Sequence, residues 1–123
     1  MVNYNLRSQS KSKYSNTKVT LDGINFLSKK EARRYLELKL LLKSNAISDL
    51  KLQPRFKLWC LNPQTMEREL VCVYVADFQY IEHSEHAGDN EVVEDVKGKK
   101  TRDYIIKAKM FKICYPQYVF REI

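Results

Sequence analysis

An α/β domain with a mixed β-sheet between helices is the expectation from this sequence. Two stretches carry helical apolar spacing with capping signals. Between and after them lie runs rich in Val, Tyr and Phe, separated by turn residues. The resulting order is helix, β-meander, helix, strand, within 123 residues, enough chain to bury one core.

The elements follow in order. Residues 1–16 are polar and dominated by Ser, Asn and Lys, so a flexible basic arm is expected there, followed by a single domain over 17–123. Two short β-leaning runs between Lys18 and Phe26 flank Asp22-Gly23, a hairpin turn signal. Ser28, with Glu31 three residues on, forms a capping box that opens a helix. Ala32, Tyr35, Leu36, Leu40 and Leu42 give its apolar spacing, and Ser44-Asn45 ends it. Residues 50–60 alternate and read as one strand entered near Pro54, with a turn at Asn62-Pro63-Gln64. Leu70 to Tyr80 reads as a single strand, and its near-continuous apolar character predicts a central position. A polar loop over 82–90 precedes a strand from Val92 to Lys97, ended by Gly98. Thr101 caps a second helix over 102–114, stopped before Pro116, with Tyr104, Ile105, Ala108 and Phe111 as its apolar stripe. Tyr118 to Glu122 reads as a last short strand.

Composition narrows the function classes. No apolar run approaches the ~20 residues needed to cross a bilayer, and no secretory signal precedes the domain, so a cytoplasmic protein with no membrane partner is expected. Three cysteines, Cys60, Cys72 and Cys114, are odd in number and widely spaced. They read as free thiols rather than a disulfide set or zinc site. The net charge of +7 favours an anionic polymer such as DNA as partner. Basic residues cluster at both ends of the chain (Arg7, Lys11, Lys13 and Lys18; then Lys99, Lys100, Arg102, Lys107, Lys109 and Lys112), while the stretch from Glu82 to Asp95 is acidic. Carboxylates repel phosphate unless a cation bridges them, so a basic envelope around an acidic patch points to a metal-dependent nuclease.

The chemistry centres on three residues. On the strand ending near Lys97, Val93, Asp95 and Lys97 share one face, with Glu94 on the other, solvent-exposed or paired. On the preceding strand Val73, Val75 and Asp77 share a face, so Asp77 and Asp95 are expected opposite each other above valines. Two such carboxylates with hard oxygen ligands suit Mg²⁺ or Mn²⁺, and Lys97 would attend the nucleophilic water. The alternative for Asp95 and Lys97 is an ordinary surface ion pair. His83 and His86 with Glu82 and Glu85 read as a solvated loop rather than a metal site. Gln53 lies near the site or serves the turn before Pro54. Tyr35, Trp59 and Tyr104 read as core.

Asp77 followed by Asp95-Val96-Lys97 resembles the PD-(D/E)xK nuclease superfamily. The wider set of segments is similar to a family of short phage and prophage proteins catalogued as a domain of unknown function. These segments run from Val19 to Phe26, Ser28 to Leu38 and Leu52 to Pro54, then Ala76 to Phe78 and Val93 to Gly98. The resemblance implies a restriction-endonuclease-like core. It makes Asp77, Asp95, the Val96 carbonyl and Glu31 metal ligands, with Lys97 beside the attacking water. Ala76 replaces the proline that precedes the first aspartate in the superfamily signature. The expected activity is a Mg²⁺-dependent endodeoxyribonuclease of phage recombination or replication, acting in the bacterial cytoplasm. Lys13, Lys18, Lys99, Lys100, Arg102, Lys107 and Lys109 are its expected phosphate contacts. By analogy the substrate is branched DNA such as a Holliday junction, where two symmetric cuts call for a homodimer. The rival expectations are a non-catalytic nucleic-acid-binding protein of the same fold and a phage protein-interaction factor.

Overall fold

The computed structural model describes residues 18–123, so the expected arm over 1–16 and Lys13 lie outside the described residues. The chain packs as two compact units, one ending at Glu37 and the other spanning Leu38–Ile123.

In the first unit, β1 (Val19–Leu21) and β2 (Ile24–Phe26) pair antiparallel. Asp22 and Gly23 at the turn have φ of 53° and 75°. Positive φ at both central residues matches the strand twist, the geometry the Asp-Gly pair favours. The Tyr35 hydroxyl donates to Asp22 Oδ2 at 2.8 Å, and the Tyr35 ring stands 5.0 Å from that of Phe26. Helix α1 (Lys29–Lys43) opens as expected, with the Glu31 N–H donating to Ser28 Oγ at 3.1 Å. Its buried positions are Ala32, Tyr35 and Leu38, whereas Leu36 and Leu40 are 49% and 69% exposed. Each residue turns the helix by about 100°, so a stripe through 32, 35 and 38 leaves 36 and 40 off it. The helix closes in a Schellman motif: Asn45 adopts φ 65°, the Ala46 N–H reaches Leu41 O and the Asn45 N–H reaches Leu42 O.

The second unit holds β3 (Ile47–Leu52), β4 (Arg55–Asn62), β5 (Glu67–Val75), β6 (Phe78–Glu82), β7 (Asn90–Asp95), α2 (Arg102–Cys114) and β8 (Val119–Glu122). Strands β3-β6-β7-β8 form one sheet, antiparallel except for the parallel β7–β8 pair, so the sheet is mixed as expected. Strands β4 and β5 form a separate antiparallel ribbon against which α2 packs. Phe56, Leu58, Tyr74, Ala76, Val93, Tyr104, Ala108 and Phe111 make the core there. The rings of Phe56 and Phe111 meet edge-on at 4.8 Å.

Several expectations change. The strand over 50–60 is two strands, because Gln53 takes φ 51° before Pro54 and turns the chain. The strand from Leu70 to Tyr80 is likewise two, broken at Ala76-Asp77. Its first part is not central among the described residues: there β5 pairs only with β4, and Leu70, Val71 and Val75 are 48%, 54% and 42% exposed. Ile105 stands 52% exposed, off the buried stripe of α2 formed by Tyr104, Ala108 and Phe111. Thr101 caps α2 as expected, its side chain accepting from the Tyr104 N–H at 3.1 Å. Among the described residues, no helix is long and apolar enough to cross a membrane.

Candidate functional site

The break between β5 and β6 makes the site. Ala76 is buried, and its N–H donates to Pro54 O at 3.1 Å, still on the β4 side. The next N–H, of Asp77, donates to Glu94 O at 3.0 Å, and Asp77 O accepts from the Gln53 N–H at 2.9 Å. The chain thus leaves the ribbon and enters the sheet within two residues. A proline at 76 would remove the first of these bonds. Gln53 touches the site through its main chain.

Asp77 is therefore not within a strand beside Val73 and Val75, as alternation had implied. It stands at the junction, one position before β6. Phe78 pairs with Glu94, so Asp77 lies beside the C-terminal end of β7, where its N–H meets Glu94 O. The Val96 N–H donates to Asp77 Oδ2 at 2.6 Å, tying that carboxylate to the peptide after Asp95. Burial above all, with the negative charges of Asp95 and Asp77 adding to it, pushes up the pKa of both Tyr74 and Tyr104. The parallel partner braces the far side: the Ile123 N–H donates to Asp95 O, and the Lys97 N–H donates to Ile123 O.

Asp95 is 1% exposed. Its Oδ2 accepts from the Tyr74 hydroxyl. Among the described residues its Oδ1 accepts no hydrogen bond, and the Lys97 ammonium pairs with it at 3.0 Å. Lys97 lies past the end of β7, and its side chain is 29% exposed. The ammonium also sits 4.4 Å from the centre of the Tyr104 ring, within cation–π range. The Tyr104 hydroxyl donates to Glu122 at 2.6 Å, and Glu122 pairs with Lys100 at 2.8 Å. The Lys100 and Tyr104 contacts hold the Glu122 carboxyl below the ordinary range. Burial first, then hydrogen bonding to Asp95, raises the Tyr74 phenol.

Of the two expectations for Glu94, solvent-exposed or paired, the second holds: it is fully buried and accepts from the Tyr80 hydroxyl. Arg121 reaches Tyr80 OH at 3.3 Å and forks onto both Glu82 oxygens at 2.8 and 2.9 Å. Glu31 is half-buried in the first turn of α1, within the unit that ends at Glu37.

Among the expected phosphate contacts, Lys18, Lys99, Lys100, Arg102 and Lys109 are exposed, and Lys107 pairs with Asp103 at 3.5 Å. In the polar loop, His83 bridges Asp89 at 2.9 Å and Ser48 at 2.8 Å, so it closes the hairpin rather than binding solvent alone. No group of three or more His, Cys, Asp or Glu suited to a metal occurs among the described residues. The three cysteines are free thiols, with Cys60 exposed and the others half-buried. Trp59 is not core: it lines an open cleft of about 330 Å³ with Arg68 stacked on its ring at 4.9 Å, and this cleft contains none of Asp77, Asp95 or Lys97.

Sequence reasoning missed Tyr74, and read Tyr104 only as core. Both are core residues beside the candidate site: the Tyr74 hydroxyl donates to Asp95, and the Tyr104 ring meets the Lys97 ammonium while its hydroxyl donates to Glu122. Tyr74, three residues before Asp77, was the available signal: a phenol in an apolar run needs a partner when buried.

No curated protein and no solved structure matches the chain. One family does match, over residues 11–122, and the chain belongs to it: the family described as protein of unknown function, DUF1064.

Proposed function

We propose that this chain is a divalent-cation-dependent endodeoxyribonuclease with a restriction-endonuclease-like core, in which Asp77, Asp95 and Lys97 carry the reaction. The observation that supports it most is the hydrogen bond from the Val96 amide to Asp77 Oδ2, with Lys97 on the neighbouring Asp95. It brings two acids and an amine together from a junction and a strand end.

The donor set fits a hard cation. Asp95 Oδ1 is buried without a hydrogen bond among the described residues, so a lone pair remains for a positive charge, and carboxylate and carbonyl oxygens are the ligands a hard cation prefers. Asp77, Asp95 and the Val96 carbonyl would hold Mg²⁺ or Mn²⁺. Bound there, the cation supplies a lowered water pKa and positive charge facing the scissile phosphate. The protein's own groups do the rest. Tyr74 fixes the Asp95 carboxylate plane, and the Val96 amide fixes that of Asp77. The Lys97 ammonium offsets charge gathering on the phosphate. Lys18, Lys99, Lys100, Arg102, Lys107 and Lys109 hold backbone phosphates. Lys100 and Lys107 are free to exchange their exposed carboxylate partners, since such pairs are weak. With few elements available for base readout, the substrate class is DNA recognised by shape, with branched junctions foremost. Paired cuts across a junction would be made by a homodimer.

The test is incubation with plasmid and four-way-junction DNA in Mg²⁺, Mn²⁺ or EDTA. Metal-dependent cuts that vanish in Asp77→Ala and Asp95→Ala support the proposal. Salt-sensitive binding without cutting would leave a nucleic-acid-binding protein, and neither would leave a protein-interaction factor.

A further inference from the structure

We infer that Lys97 is the resident counter-ion of Asp95, and that a divalent cation must displace its ammonium to bind. The inference rests on the proposal that Asp95 is a metal ligand.

A carboxylate 1% exposed needs a positive partner in the fold. Tyr74 satisfies one oxygen of Asp95 with a neutral hydroxyl. The other meets the Lys97 ammonium at 3.0 Å and accepts no hydrogen bond among the described residues. That oxygen is the one left for a metal, so cation and ammonium contend for the same lone pairs. They also repel, because both are positive.

The ammonium has somewhere to go. It also lies over the Tyr104 ring, 4.4 Å from the ring centre. That ring is fixed: Tyr104 is 7% exposed, its hydroxyl is held by Glu122 and its N–H by Thr101. With 29% of its side chain exposed, Lys97 can yield the oxygen while keeping the ring face and water. Lys97 would thus serve twice, as the charge that lets Asp95 be buried before the cation arrives and as the amine beside the phosphate afterwards.

The competition has an unusual sign. Removing a positive charge from a reactive centre lowers turnover, yet here it tightens cation binding. Calorimetric titration of the full chain with Mn²⁺ reads this directly. Lys97→Met keeps the side-chain bulk without the charge, and its dissociation constant for Mn²⁺ is expected to fall by about fivefold or more, the effect of losing one like charge near the ion. Should Lys97→Met fail to fold, the wild-type chain supplies a second measurement. Mass spectrometry after brief acetylation reads the reactivity of the Lys97 amine, expected to rise severalfold when Mn²⁺ is added. Wild-type uptake of Mn²⁺ with unchanged or weaker binding by folded Lys97→Met, or with unchanged Lys97 acetylation, overturns the competition and leaves the metal site standing. No Mn²⁺ uptake by the wild type overturns both.

Discussion

Tyr74→Phe removes a single hydroxyl from a residue that is 2% exposed, leaving the ring and its packing on Phe111 in place. What is lost is the donor to Asp95 Oδ2, on a carboxylate that is 1% exposed and that no water can readily reach. A hydrogen bond to a charged acceptor contributes ~1.5–3 kcal/mol. Lys97 still compensates the other oxygen, so the expected cost lies near the middle, about 2 kcal/mol. For a chain of this length that lowers Tm by roughly 8 °C. Urea unfolding followed by far-UV circular dichroism measures it. A double-mutant cycle with Asp95→Ala isolates the pair, with a coupling of about 1 kcal/mol or more expected. A loss below about 0.5 kcal/mol, or the same loss with and without Asp95, would refute the placement of this hydroxyl.

Three further outcomes follow from the geometry. Burial raises the Tyr74 and Tyr104 phenols above their ordinary value of 10.0, so their contribution to stability is whole below pH 10 and lost as pH climbs further. In an absorbance titration at alkaline pH, both should ionise only as the chain unfolds; early, reversible ionisation of all eight tyrosines would contradict this. Arg121 holds the Glu82 carboxyl below its ordinary 4.5, a contribution present above that pH and lost as pH falls through the lowered value. Arg121→Gln should therefore flatten the acid limb of the stability curve below pH 4.5, and an unchanged limb would count against the pair. Leu38→Ala should cost ~2–5 kcal/mol and Leu40→Ala under about 0.5 kcal/mol, since the first is fully buried and the second 69% exposed; equal costs in chemical denaturation would reject this helix phase.

Local signals in the sequence were sufficient wherever a few neighbouring residues set the backbone. Asp22-Gly23 fixed a hairpin, Ser28 opened α1, Asn45 closed it, and Thr101 opened α2 before Pro116. Those features depend on one residue's φ or one side-chain oxygen within a turn, which a chain carries with it. Asp77, Asp95 and Lys97 were legible as candidates by residue type and spacing. The backbone that positions Asp77 was not. Alternation along an unbroken strand would have grouped Asp77 with Val73 and Val75, and only the hydrogen bonds of Ala76 and Asp77 to different partners reveal the break that re-aims it. The depth of Glu94, the Tyr74 and Tyr104 phenols around the acids, and the exposure of β5 were equally beyond the sequence, because each depends on what another segment places alongside. Hydrophobic pattern tells which residues prefer burial. Which of several apolar runs receives a second sheet neighbour is decided by long-range pairing, and that pairing exists only in the folded chain.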